Sequence, residues 1–175
     1  HPGLDHRFRV EHACLASGPQ LRRLAGLGGV AVVQPAFLDH LGRQVEGVVF
    51  DDADWLPFGA MRAAGVDMAA SSDCPCTFHE PLRGAGHGAH RRTGSGAVLD
   101  AGQTVPFTEW LRAYTAGAAH AGGQEAERGS ITVGTRADLV VLDGPPRPDP
   151  LPSVAQTWVA GRLAFDTHAH AHADG

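Results

Sequence analysis

The sequence contains no lysine; all 14 basic residues are arginine, set against 19 acidic ones, for a formal net charge of −5. That balance argues against a nucleic-acid surface, which needs clustered positive charge. The arginine-only usage is a compositional bias rather than a mechanism. Long apolar runs are missing too. None approaches the ~20 residues of a membrane helix, so no membrane partner is expected. Cysteine is scarce, with three residues in 175, and an odd number does not make a disulfide framework. No leader peptide is read in these residues, which begin at His1 rather than methionine. The expectation is a chain that begins inside a longer protein or after processing, with the cytosol as the default compartment.

What is present is a run of short apolar segments that end in polar residues. A chain of 175 residues suffices for one good core or for a part of something larger. Val66 to Ala70 reads as a strand too buried for polar alternation, as in a parallel sheet covered on both faces. It ends in Ser71-Ser72-Asp73, and Pro75 stops any regular structure. A carboxylate at the carboxyl end of such a strand stands where α/β barrels place their chemistry. Asp73 therefore has two readings: a turn or capping aspartate, or a catalytic and metal-binding carboxylate. Arg7 to His12 alternates charged and apolar residues and reads as a second strand, with Glu11 and His12 its last residues. A lone histidine there is an ordinary hydrogen-bonded residue. Paired with Asp73 at the end of a neighbouring strand, it becomes a metal-ligand candidate.

Taken in order, Ser17-Gly-Pro-Gln20 carries a capping-box signal. Leu21, Leu24 and Leu27 form a helical apolar face that Gly28-Gly29 ends. Val30 to Val33 is a short buried strand closed by Gln34-Pro35, which completes a βαβ unit. Residues 36–53 read as a long loop over the strand ends, with His40 an exposed loop histidine and contact with substrate as its alternative. Asp54 is expected to cap a helix from Trp55 to Ala64, with Met61 inward and Gly65 as its stop. Further helices are expected over Pro81–Arg92 and from Phe107 to about Ala119. The second presents Trp110, Leu111, Tyr114 and Ala118 on one face. Arg91-Arg92 reads as a solvated helix end, with contact to an anionic substrate group as the alternative. Cys74 and Cys76 flank Pro75. Their spacing is not that of a zinc knuckle, and they read as small buried or half-buried side chains rather than ligands.

Beyond about residue 126 the character changes. Gly129–Gly134 and Ala137–Asp143 read as short strands around a turn, and Gly144–Pro150 as a rigid connection. Gln156–Val159 and Arg162–Phe165 flank Ala160-Gly161 as a tight hairpin. The division expected is an α/β part over 1–125, a β module over 126–166 and a disordered histidine-rich tail over 167–175. His168, His170 and His172 alternate in that tail.

Arg9-Val-Glu-His-Ala13, Ser71-Ser-Asp73 and Gly129-Ser-Ile with Gly134 and Ala137–Asp143, together with Tyr114-Thr115, resemble the metal-dependent amidohydrolase superfamily. Within it they are similar to the amidohydrolase-3 branch, the N-substituted formamide deformylase-like proteins. The similarity runs from about residue 7 to 166. It implies an α/β fold: the C-terminal part of a TIM-type (β/α)8 barrel, about strands 6–8, followed by part of a small β-sandwich. His12 then takes the place of the sixth-strand metal-site histidine and Asp73 that of the eighth-strand aspartate. The family's first-strand His-x-His pair, its fourth-strand bridging ligand and its fifth-strand histidine have no counterpart. His168-x-His170 stands at the wrong end of the chain to replace them.

The resemblance implies a hydrolase of carbon–nitrogen bonds other than peptide bonds, of amide or formamide type. Its cofactor is a divalent metal, with zinc the expected ion, held by His12 and Asp73. Such an ion lowers the pKa of water toward ~7 and polarises a carbonyl, while Asp73 shuttles the proton. Ser71 and Ser72 are expected to orient that carboxylate, unless they merely end a buried strand. The partners implied are a small-molecule amide-type substrate, the N-terminal part of the same chain and possible copies in a homo-oligomer. The isolated segment is expected to be inactive. Two alternatives stand beside this reading: a non-catalytic α/β binding or assembly module, and a deaminase of the same superfamily.

Overall fold

A computed structural model describes residues 7–167; the expectation for the histidine-rich tail over 168–175 lies outside the described residues. Strand β1 spans Arg9–Glu11, one residue shorter at its end than the sequence pattern suggests. His12 has already left it, with φ at 66°. A two-residue strand, β2 (Leu15–Ala16), precedes helix α1 (Gly18–Gly26). The capping signal is realised: the Ser17 N–H donates to Gln20 Oε1 at 2.8 Å. The helix ends at Gly26, however, one residue short of Leu27, which caps it and is left 64% exposed instead of joining Leu21 inside. Strand β3 covers Val30–Val33 as expected, and all four residues are buried.

The 36–53 segment is less irregular than its composition suggests. Phe37–His40 (α2) and Gly42–Val45 (α3) are helical. Phe37 and Leu38 are buried, so the start of this segment is core rather than lid. Asp54 and Trp55 form β4, paired antiparallel with β2. Asp54 therefore caps nothing. Its carboxylate accepts from Gln103 Nε2 at 3.4 Å, and the next helix, α4, begins only at Phe58 and runs to Ala63. Met61 is fully buried on it, and Gly65 takes the positive φ of 73° that ends the turn. Strand β5 then runs Asp67–Ala70.

The central sheet has the order β1-β3-β5 and is parallel throughout. Its middle strand is covered on both faces, which is why Val30–Val33 shows no polar alternation. Helix α5 (Pro81–His90) ends at Arg91 in the left-handed conformation. Its Gly84 and Gly88 lie one turn apart, and a side chain on either would overlap Tyr114 or Trp110. Those rings stand on α6 (Phe107–Arg112) and on the π-helical turn Ala113–Gly117 that continues it into α7 (Ala118–Ala121). The glycines thus let two helices approach closely over a bulky ridge. Trp110 is fully buried and meets Phe58 edge-on, with centroids 4.8 Å apart.

Arg91 is not a solvated helix end. It is fully buried, and it donates to the carbonyls of Leu99 at 2.7 Å and Leu56 at 2.8 Å. Burial pulls its guanidinium down to about 10, partly offset by Asp100. Arg92 is the exposed member of the pair.

The remaining strands are β6 (Leu139–Leu142), β7 (Val154–Val159) and β8 (Arg162–Asp166), a separate antiparallel sheet in that order. The hairpin expected at Ala160-Gly161 forms, with φ of 51° and 74° at the two positions, as a primed turn requires. The strand expected over Gly129–Gly134 does not form. Residues Thr132–Thr135 make a turn, and Ile131 and Val133 are 90% and 104% exposed. Apolar residues without a paired neighbour strand gain nothing from extended pairing. Among the described residues no helix is long and apolar enough to cross a membrane.

Candidate active site

The site is built on the carboxyl ends of the three parallel strands. His12 follows β1 and keeps the ladder for one more bond, its N–H donating to the Val32 carbonyl at 2.8 Å. Its left-handed backbone, shared with Ala13 at φ 46°, turns the chain away from the sheet just there. Gln34 follows β3. Ser71 follows β5, with its N–H on the Val33 carbonyl at 2.9 Å. Asp73 comes two residues later, also left-handed at φ 56°. Three non-glycine residues in this sparsely populated region, at matching ends of one sheet, are the kind of local strain that clusters at functional sites.

A set of hydrogen bonds holds the Asp73 turn. The Tyr114 hydroxyl reaches the Ser71 carbonyl at 3.5 Å, and burial pushes that phenol well above its ordinary value. The Ser72 hydroxyl accepts the Cys74 N–H at 3.2 Å, and its carbonyl takes a short bond from the Thr77 hydroxyl. The Asp73 carbonyl accepts the Cys76 N–H at 2.7 Å. Ser71 binds the Gln34 amide and Ser72 binds the turn backbone, and neither hydroxyl bonds the Asp73 carboxylate among the described contacts.

The Asp73 charge is felt by two thiols. Burial first, then Asp73, pushes the Cys14 thiol up, while Asp73 is the leading cause at the exposed Cys76. All three cysteines are free, with Cys74 and Cys76 exposed. Cys14 was not singled out in the sequence, because its approach to Asp73 depends on the turn after His12. Gln34 was missed as well. Its Oε1 lies 2.9 Å from His12 Nδ1, and its Nε2 donates to Ser71 Oγ at 2.8 Å. The sequence showed only a polar residue after a buried strand.

No ion pair within 4 Å joins His12 to Asp73 among the described residues; the chain links them through Gln34 and Ser71. His12 is exposed, and its ring stacks on Phe37 with centroids 5.7 Å apart. The donor set suits a divalent ion in kind. His12 Nε2 has no partner, and no arginine pairs with the Asp73 carboxylate among the described residues. In number it is partial. Among the described residues no three His, Cys, Asp or Glu side chains converge to hold an ion. A cavity of about 760 Å³ lies at the opposite rim, lined by Val30, Asp67, Met68 and Arg112 at the amino ends of β3 and β5. It faces away from this chemistry.

Comparison with known proteins bears on the class. The amidohydrolase family model matches residues 2–165, and the chain belongs to that family. It is 36% identical over 145 residues to an N-substituted formamide deformylase of Arthrobacter pascens, covering 81% of this chain and 27% of the relative. It is 26% identical to a putative amidohydrolase of Bacillus subtilis (strain 168), covering 95% and 34%. Among solved structures, a metal-dependent hydrolase of Pyrococcus horikoshii superposes with a TM-score of 0.67 at 23% identity, over 79% of this chain and 29% of that one. An adenosine deaminase of Xanthomonas campestris with bound zinc gives 0.61 at 22%, over 92% and 39%. The chain thus spans about a quarter to a third of the length of the curated relatives it matches.

Proposed function

We propose that this chain is the C-terminal segment of a metal-dependent amidohydrolase that cleaves carbon–nitrogen bonds of amide or formamide type. The α/β part over 1–125 would supply strands 6–8 of a (β/α)8 barrel, as β1, β3 and β5. The β module over 126–166 would supply part of a composite β-sandwich. The observation that carries the reading is the coincidence of two facts. The family match spans nearly the whole chain, and His12 and Asp73 follow the carboxyl ends of two strands in one parallel sheet. That rim is where barrels of this kind assemble their chemistry.

In this reading His12 Nε2 and the Asp73 carboxylate would hold a divalent ion, zinc by the character of the donors. When bound, the ion supplies Lewis acidity, making water a nucleophile near neutral pH and polarising the carbonyl under attack. Asp73 accepts the proton released by the attacking water and delivers it to the departing nitrogen, so that an N-substituted formamide and water give formate and an amine. The turn bonds of Ser72, Thr77 and Tyr114 keep the carboxylate over the strand end through both transfers.

The test is the full-length protein assayed for formate and amine release. Asp73→Asn should lower the rate about 10²–10⁴-fold while the fold, followed by its thermal transition, stays intact. Undiminished turnover would remove Asp73 as the proton carrier. Ammonia release from an aminated heterocycle, without formate release, would instead favour a deaminase. The incomplete ligand set among the described residues favours one other reading, a non-catalytic binding or assembly module. A full-length protein that takes up no metal would establish it.

A further inference from the structure

Gln34 is a glutamine only 2% exposed, at the end of the central strand. Among the described residues its carboxamide makes three hydrogen bonds, and together they fix which end is which. Nε2 lies 3.3 Å from the Val32 carbonyl oxygen, which can only accept. That side of the amide must therefore be the NH2 group. Its second hydrogen goes to Ser71 Oγ at 2.8 Å. The amide oxygen is then the atom 2.9 Å from His12 Nδ1. An amide oxygen carries no hydrogen, so the hydrogen of that contact sits on Nδ1. A neutral imidazole has one N–H, which leaves the lone pair on Nε2. Phe37 stacks 21° from parallel beneath the ring and restrains its rotation.

We propose that Gln34 is a positioning residue. It sets the tautomer of His12, aims Nε2 away from the sheet, and ties that ring through Ser71 to the segment that carries Asp73. The metal-binding consequence rests on the reading of His12 as a ligand; the tautomer assignment does not. Burial at the strand end explains why a glutamine is needed. An apolar residue of similar volume would fill the space but could neither accept from Nδ1 nor donate to the Ser71 hydroxyl.

Gln34→Met and Gln34→Asn in the full-length protein test this, since methionine removes the acceptor and asparagine draws it back by one methylene. The first measurement is the ring-nitrogen NMR signature of His12 in histidine-labelled, metal-free protein, at a pH where the ring is neutral. Wild type should show a single Nδ1–H tautomer, and both variants a mixture. The second is zinc affinity by chelator competition, expected to fall about 10–100-fold in both variants, with His12→Ala as the reference. A His12 ring that keeps the Nδ1–H form in both variants overturns the proposal, whatever the metal does. If the variants change the tautomer but His12→Ala binds zinc as tightly as wild type, the ligand reading fails and the Gln34 assignment stands.

Discussion

The two sheets of this chain are built from similar apolar residues and treat them in opposite ways. In the parallel sheet, Val30 and Val33 are 0% exposed and lie under helices. In the antiparallel sheet, Val140, Leu163 and Phe165 remain 56%, 46% and 39% exposed. The helices explain the first case. Helices α4 to α7 and the π-helical turn pack against β5 and one another, close enough that a side chain on Gly117 would overlap the Met68 carbonyl. No such layer covers β6–β8 among the described residues, and the chain matches only 27% to 34% of its curated relatives. A covered sheet and an uncovered one thus sit in one chain, and in the proposed sandwich the cover over β6–β8 would come from residues outside it.

The sharpest way to break that comparison is to remove one large side chain from the core beside the parallel sheet and one from the antiparallel sheet. Trp110→Ala should cost about 3–5 kcal/mol, read by urea unfolding of this chain. Leu163→Ala should cost about 0.5 kcal/mol, as at an exposed position. Equal losses would mean the antiparallel sheet is covered in solution. A smaller effect is expected at the helix crossing. Gly88→Ala places a methyl group against the Trp110 indole and should destabilise by about 1–3 kcal/mol, which thermal unfolding can measure. A neutral outcome would show that α5 and α6 can separate without penalty.

The smallest effect belongs to the rim of the α/β region. Glu46 accepts from the Ser95 hydroxyl at 2.5 Å and the Thr93 hydroxyl at 2.8 Å, and these bonds, Ser95 first, hold its carboxyl below the ordinary range. A lowered folded-state value means the unfolded chain takes up the proton first as acid is added. The stabilisation is therefore complete above the ordinary carboxylate value and is lost as pH falls through the folded one. The melting temperature of wild type should exceed that of Glu46→Gln at neutral pH and converge with it in acid. A difference independent of pH would show that the carboxylate charge plays no part.

Much of the frame was legible because it is written in local patterns. Val30–Val33 is a buried run of strand length, Gln20 stands at capping distance from Ser17, and Ala160-Gly161 sits between two strand-like runs. The errors arose where a distant partner overrode a local preference. Asp54 has the chemistry of a cap but is held in a strand by Ala16. Arg91 looks like a basic helix end but is drawn inside by carbonyls of the 55–56 and 99 segments. Ile131 and Val133 look like strand residues but have no strand beside them among the described residues.

His12 and Asp73 could be named from the sequence as strand-end residues, since hydrophobic period and chain punctuation alone specify where a strand stops. Tertiary structure alone revealed what lies between them. Gln34 meets His12 across 22 positions and Ser71 across 37, and nothing in a local pattern encodes that adjacency. It exists because the strand carrying Gln34 is placed second in the sheet, flanked on both sides by the strands whose ends bear the chemistry.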